Sequence, residues 1–526
     1  MSLVPVENLG RIGVVSDTPA HDLPPEAWTN ARNVRFRNNR VEKMDGYSEV
    51  YATPSIVPYW LLSVPASTYY WIVAGAAKVH VTDGTSYTDI TRSVGGDYSM
   101  DNDILWNGGL LGGVPVINNG VDVPQFWNPQ TAATKLADLT AWPADTTAKV
   151  IRPFLNFLFA LDITKSGTEY QHMVKWSHAA EPGTVPTTWD ETDETADAGE
   201  TDLTDTAAGP CIDALPLHDA LMIYKEGSTH GVLYTGDRFV FKFYKIFENL
   251  GAMSASCISL IGEGERHLVM SGDDMARHDG QNAQSVLTRR MRRWLANAMN
   301  TDRYKRSFMV RNVHERETWF CFPESGYDWP NLALVYDWDS EALTVRELSN
   351  NASFIAPGRI IAADTNTWDS DSEVWDADSE VWDASAHPPY QFRLVQAAPN
   401  DTMLFYQENT NKFNGVSMQS YVERTGLAVF GRDRDGAPKV DNTMLKQIKG
   451  VRPKITGGAV NIRVGVQQQV GGDITWTSPL LFTPGVDYKV DCCLVGRFAA
   501  VRFEGATDTP WYLDSYDLDI EPLGQF

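Results

Sequence analysis

Basic residues are scarce in this chain of 526 residues: 44 Lys and Arg stand against 68 Asp and Glu, a formal net charge of −24. A general nucleic-acid binder needs a positive footprint to displace counterions from phosphates, so the composition argues against that class. It is compatible with a surface that nucleic acid slides past, because like charges repel within a screening length of about 10 Å. Cysteine is rare as well. Cys211, Cys257, Cys321, Cys492 and Cys493 show neither metal spacing nor a disulfide ladder, and the adjacent pair is poorly placed to bridge itself. They read as reduced thiols of a protein made in a cytosol. No apolar run approaches the ~18 residues that span a bilayer, and MSLVPVENLG lacks the basic start and apolar centre of a secretion signal. Helical text is nearly absent, with only 295–300 reading as a helix.

Catalytic signatures are missing too. There is no G-x-S-x-G, H-E-x-x-H, G-x-x-x-x-G-K, Cys-x-x-Cys or post-strand G-x-G-x-x-G, and no Asp-box of the sialidase type. Carboxylates are so abundant that a pair about 5–9 Å apart can arise without any function. The expectation is a protein that is not an enzyme and uses no cofactor.

What is present points to β-structure. Apolar residues make up 43% of the chain and aromatics 11%, with 17 Trp, and 40 Gly and 28 Pro punctuate the text. In the N-terminal arm, 1–50, Val34-Arg35-Phe36-Arg37 alternates apolar and basic, Asn38-Asn39 supplies a tight turn, and Arg40-Val41-Glu42-Lys43-Met44 alternates again. This hairpin gathers Arg32, Arg35, Arg37, Arg40 and Lys43 on an acidic protein. Its charged side reads either as a solvated face or as a contact for a neighbouring subunit or adaptor.

From 51 to 390 short strands follow one another, each turned by a Gly-, Asn- or Asp-containing dipeptide. Tyr69 to Ala74 is followed by Lys78 to Val81, Leu110 to Ile117 forms a strand pair, and hairpins recur from Leu221 to Leu348. Successive antiparallel hairpins of this kind predict a β-propeller, irregular because no fixed repeat length emerges. RPFLNFLFALDI (152–163) reads as one buried strand, a short buried helix being the alternative. Two interruptions stand out. An acidic Thr/Ala-rich stretch, 190–206, reads as a long exposed insertion. A loop at 366–386 repeats Trp-Asp with period seven, at Trp368, Trp375 and Trp382. Asp369, Asp371 and Glu373 there place carboxylates at alternate positions, a weak calcium cradle, against the plainer reading of an exposed acidic loop tip. The basic run Arg289, Arg290, Arg292 and Arg293 reads as a solvated turn or as a contact with an acidic neighbouring subunit. From 391 to 526 strand text continues, with Phe498 to Phe503 expected to pair with Trp511 to Leu513, predicting a C-terminal β-sandwich-like domain.

Four stretches carry a family resemblance: the hairpin segment 22–50, GGVPVINNGVDVPQFWN (112–128), 218–294 with LMIYKEGSTHGVLYTG and DDMARHDGQNAQSV, and the closing 494–526. In order and spacing they resemble the tail nozzle (tail hub, or DNA-stabilisation) proteins of short-tailed bacteriophages. The resemblance implies a β-propeller-based structural subunit of a hexameric ring. Such a ring sits below the portal and head-to-tail adaptor in the virion tail, is closed by a plug or needle or carries a fibre or spike, and lets DNA pass without specific binding. It implies assembly in the host cytoplasm and no catalytic residues. A different reading is a carbohydrate-binding or glycan-cleaving propeller that recognises a receptor, with the Trp-Asp loop stacking on sugars.

Overall fold

The computed structural model describes residues 2–100, 106–204, 209–236, 239–348, 351–360, 392–408, 410–432 and 438–525. Among them the chain is mainly β, a propeller joined to a β-sandwich. Six four-stranded antiparallel sheets follow in order at 60–89, 107–138, 146–202, 211–247, 258–285 and 308–347. A seventh takes Phe354–Arg359, Phe392–Ala398 and Met403–Gln407 and borrows its fourth strand, Tyr47–Glu49, from the N-terminal region. The innermost strands of neighbouring sheets pack on one another all the way round, and Phe354–Arg359 returns to Trp60–Pro65. The ring of blades is therefore closed, and the strand borrowed from the N-terminal region latches it.

Local chemistry accounts for the blades. Central strands such as Glu317–Phe322 and Leu332–Asp337 are buried along their whole length, because neighbouring blades cover both faces. Turns fall where Asn or Gly permits positive φ, as at Asn38 (φ 50°) and Asn39 (φ 60°). The step between inner strands is shortest from residue 107 to 146 and longest from 146 to 211, where the acidic insertion lies. That unevenness is why no repeat length is visible in the sequence.

Four expectations need correction. Residues 152–163 are not one strand. Thr146–Phe154 and Phe157–Lys165 form a hairpin whose turn places Leu155 at φ 52° and leaves it 57% exposed. The sandwich does not begin at 391, since the strands through Gln407 complete the seventh blade. Residues 1–50 are not a separate arm. Ser2–Val6, Val34–Arg37 and Arg40–Lys43 join one sandwich sheet with Met444–Gly457, Val490–Gly496 and Trp511–Gln525, and Asn30–Arg32 joins the other. Finally, Phe498–Gly505 and Trp511–Gln525 do not pair. They lie in opposite sheets, where Phe503 and Tyr516 meet face to core with ring centroids 5.3 Å apart. Each strand has its own inward face, and the connection between them crosses from one layer to the other. Sandwich and propeller share one core, in which Phe36, Leu513 and Ile520 pack in the same cluster as Leu268, Phe320 and Tyr336.

The seam between the fourth and fifth blades holds three buried polar rings. Tyr224 Oη lies 2.7 Å from His267 Nδ1 and 2.6 Å from His278 Nε2, while His267 Nε2 sits 3.0 Å from Pro216 O and Gly280 N–H donates to His278 Nδ1. One proton order satisfies all four contacts: His278 Nε2–H donates to Tyr224, Tyr224 donates to His267 Nδ1, and His267 Nε2–H donates to Pro216. Both rings are thus neutral. Burial, with the neighbouring His278 ring adding to it at His267, lowers their pKa values to about 3 and about 4 respectively. Below the ordinary value of about 6.5 the unfolded chain binds protons that the folded chain refuses. Stability is therefore complete above pH 6.5 and falls as pH drops towards 4, by about 1.4 kcal/mol per pH unit for each ring. Urea unfolding between pH 7 and 4 is expected to show this slope, and His267→Gln to flatten it; identical slopes in the two proteins exclude the assignment.

Candidate functional site: the junction of propeller and sandwich

The hairpin at 34–43 has a dry face, as its alternation requires, with Val34, Phe36 and Val41 fully buried. Its charged face is buried as well, because the sixth blade covers it. Arg35 donates through Nε to Glu317 Oε1 at 2.8 Å, and its Nη1 lies 3.1 Å from Glu315 and 3.3 Å from Asp45. Arg37 reaches Glu315 at 3.0 Å and Asp337 at 3.2 Å and donates to the Glu315 carbonyl. Arg32 meets Glu347 at 2.8 Å, and Arg40 lies 4.6 Å over the Tyr512 ring beside Glu42. The side chain of Glu317 is 0% exposed and that of Arg35 6%. Burial acting alone lowers the affinity of Arg35 for its proton, but Glu317, Glu315 and Asp45 outweigh it and hold the pKa above the ordinary value. Likewise burial works against the charge on Glu315, yet Arg35 and Arg37 keep its pKa below the usual carboxylate range.

Arg32, Arg35 and Arg37 thus clamp the sandwich onto the propeller of the same chain, whereas Arg40 pairs within the sandwich and stays partly exposed. The alternating pattern identified a charged face, but not what lies opposite. A readable signal was Glu317, a carboxylate heading the largely apolar strand ETWFCF, which in a buried position demands a cationic partner. The chain also threads this junction closely. At Gly46, where it passes from the hairpin into the seventh blade, an added Cβ meets the Lys412 carbonyl oxygen at 1.8 Å. A cavity of about 10 Å³ opens beside the network, lined by Asp45, Asn312, Glu315, Arg393, Gln407 and Glu408 among others. That is room for a water and far too little for an organic substrate.

The second basic cluster is divided. Helix Arg292–Ala298 is capped from afar, since Arg293 N–H and Trp294 N–H donate to the Asp17 carboxylate at 2.8 and 3.2 Å. Arg290 donates to the Glu341 carbonyl and Arg292 pairs with Asp273, not with the acidic insertion. Arg289 and Arg293 are exposed, and their side chains have no ion partner among the described residues.

The acidic insertion is better anchored than its composition suggests. Trp189 is buried against Trp142, with ring centroids 4.7 Å apart, and Gly199–Asp202 forms the outer strand of the third blade. Glu191 and Glu200 both hold Lys175, whose side chain is 1% exposed. Asp190 and Asp193 remain exposed and cap turns at Thr192 and Thr195. Among the described residues no group of three or more His, Cys, Asp or Glu is placed to hold a metal ion. The Trp-Asp loop, with Trp368, Trp375, Trp382, Asp369, Asp371 and Glu373, lies outside the described residues.

No protein-family model and no curated protein matches the sequence. Solved structures similar to the chain include PorZ, a bacterial surface component of the type-IX secretion system of Porphyromonas gingivalis, at 10% identity and a TM-score of 0.39. That match covers 73% of this chain and 44% of PorZ, so the chain spans less than half of that protein's length. The β-propeller domain of Cps50 (Swd1) from Myceliophteria thermophila matches at 8% identity and a TM-score of 0.39, covering 68% of this chain and 98% of the domain. The fold itself is given by the strand pairing: the chain is a β-propeller of seven blades, latched by a strand from its N-terminal region and fused to a sandwich built from both ends of the described chain.

Proposed function

We propose that the chain is the structural subunit of a tail nozzle ring in a short-tailed bacteriophage, retaining packaged DNA below the portal and adaptor and forming the wall of the exit channel. The observation that carries this reading is the ordered set of nozzle-like segments at 22–50, 112–128, 218–294 and 494–526, which run through both propeller and sandwich. Two physical features support it. A closed disc of blades locked to a sandwich by buried ion pairs is a stiff unit, which suits a wall. Arg32, Arg35, Arg37 and Arg40 are each paired with carboxylates of the same chain, so the net charge of −24 is carried by the remaining groups. A bore lined by such a surface repels phosphates rather than collecting them. Exposed Arg289 and Arg293 are available for contact with an acidic neighbouring copy.

Mass measurement and cryo-EM of the purified protein, alone and with a portal–adaptor complex, test the proposal. A closed ring seated on the complex is the expected result. A monomer in both conditions, or particles that retain and eject DNA normally without this subunit, overturns it.

A further inference from the structure

Near the hairpin network lies a buried guanidinium without an ion partner. Arg346, on Leu343–Glu347 in the outer strand of the sixth blade, is 1% exposed. Its guanidinium carbon sits 4.5 Å over the Trp319 ring and 6.0 Å from the Phe413 ring centre. Its Nε and Nη1 meet no acceptor among the described residues, and no carboxylate there comes within ion-pair distance of it. Glu317 feels its charge but has both oxygens engaged, Oε1 by Arg35 Nε at 2.8 Å and Oε2 by Trp319 Nε1 at 3.0 Å. Burial pulls the arginine down to a pKa of about 10, which still leaves it charged at neutral pH.

Across the seam, Gln396 of the seventh blade is 5% exposed, and its Nε2 also lacks an acceptor. Both side chains line one cavity of about 10 Å³, walled otherwise mainly by aromatic and aliphatic side chains such as Trp319, Leu394 and Phe405, with Tyr406 and Gln407 also lining it. The space suits one water-sized body. The three orphaned nitrogens offer only N–H groups. A water here must place two hydrogens of its own against largely aromatic and aliphatic walls. An anion has none to place, and it cancels the stranded charge, whose burial is otherwise costly.

We propose that this cavity binds a single small monovalent anion of the halide class, held by Arg346 and Gln396. The ion braces the seam between the sixth blade and the blade latched by Tyr47–Glu49. Its class follows from the geometry: one charge, spherical acceptance of several N–H donors, and no space for an oxyanion as large as sulfate.

Thermal unfolding of the full chain, at fixed ionic strength in chloride, bromide or gluconate, provides the test. The melting temperature is expected to rise with the logarithm of chloride or bromide concentration relative to gluconate, as for a ligand bound only by the folded state. Arg346→Met is expected to abolish that dependence. Crystals grown in bromide are expected to show an anomalous peak between Arg346 and Gln396. Equal halide dependence in the wild type and Arg346→Met overturns the proposal, and so does a bromide crystal whose cavity holds water only. If Arg346→Met does not fold, Gln396→Met and the wild-type bromide crystal decide between the same outcomes.

Discussion

Arg35→Met is expected to lower the stability of this protein by about 3–5 kcal/mol, the cost typical of breaking a buried ion pair from one side. The side chain removed is almost fully buried, and its loss leaves Glu317 inside the core with a single remaining N–H donor at Oε2 and weakened cationic support at Oε1. Glu315 retains Arg37, which limits the damage on that side. Arg35→Lys is expected to restore little, because one ammonium cannot reach Glu317, Glu315 and Asp45 from a single position as the guanidinium fork does. The double variant Arg35→Met with Glu317→Gln is expected to recover part of the loss, since no buried charge is then stranded and the glutamine oxygen can still accept from Trp319. Urea unfolding followed by tryptophan fluorescence measures all three. If the single and double variants are equally destabilised, the charge network is not what joins the two units.

A chain beginning at residue 51 is expected to show no cooperative unfolding transition at all. The missing segment supplies three strands of one sandwich sheet, one of the other, and the latch of the seventh blade. Its loss uncovers core residues on both sides of the junction, including the partners of Val34, Phe36, Val41 and Tyr47. Each fully buried side chain of this size contributes about 1.5–3 kcal/mol, so the sum exceeds the 5–15 kcal/mol by which native domains are stable. Differential scanning calorimetry with and without a synthetic 2–50 peptide checks this. A truncated chain that melts like the intact one excludes the latch.

Hairpins were legible in the sequence because their information is local. Asn38-Asn39 announces a turn between two alternating strands, and Val34–Arg37 pairs with Arg40–Lys43 across it. What failed were particular strand pairings decided at long range. Alternation says that Phe498–Gly505 and Trp511–Gln525 each have an inward face, but not that those faces belong to opposite sheets. Tyr47–Glu49 is too short to reveal that its partner lies at Met403–Gln407. The arginine face of the hairpin fits a solvated surface or a clamp equally well until the carboxylates of the sixth blade are set against it. RPFLNFLFALDI concealed its turn because Leu155 adopts a conformation usually left to Asn or Gly. The readable part of the site was thus the presence of its cations, and the unreadable part was their orientation within the fold.

Ser2–Val6 is hydrogen-bonded to Trp511–Gln525, so strands separated in sequence by the whole propeller are neighbours in space. During synthesis, then, Ser2–Val6 and Arg40–Lys43 wait for a partner that emerges only after the seven blades. Individual blades can form while the ribosome is still working, and the disc can close once Met403–Gln407 has emerged, but the sandwich must wait for Trp511–Gln525. Contacts of such sequence separation make folding slow and leave strand edges open in the meantime. A nascent chain of this kind therefore depends on being shielded from its siblings during the interval in which many copies are translated side by side.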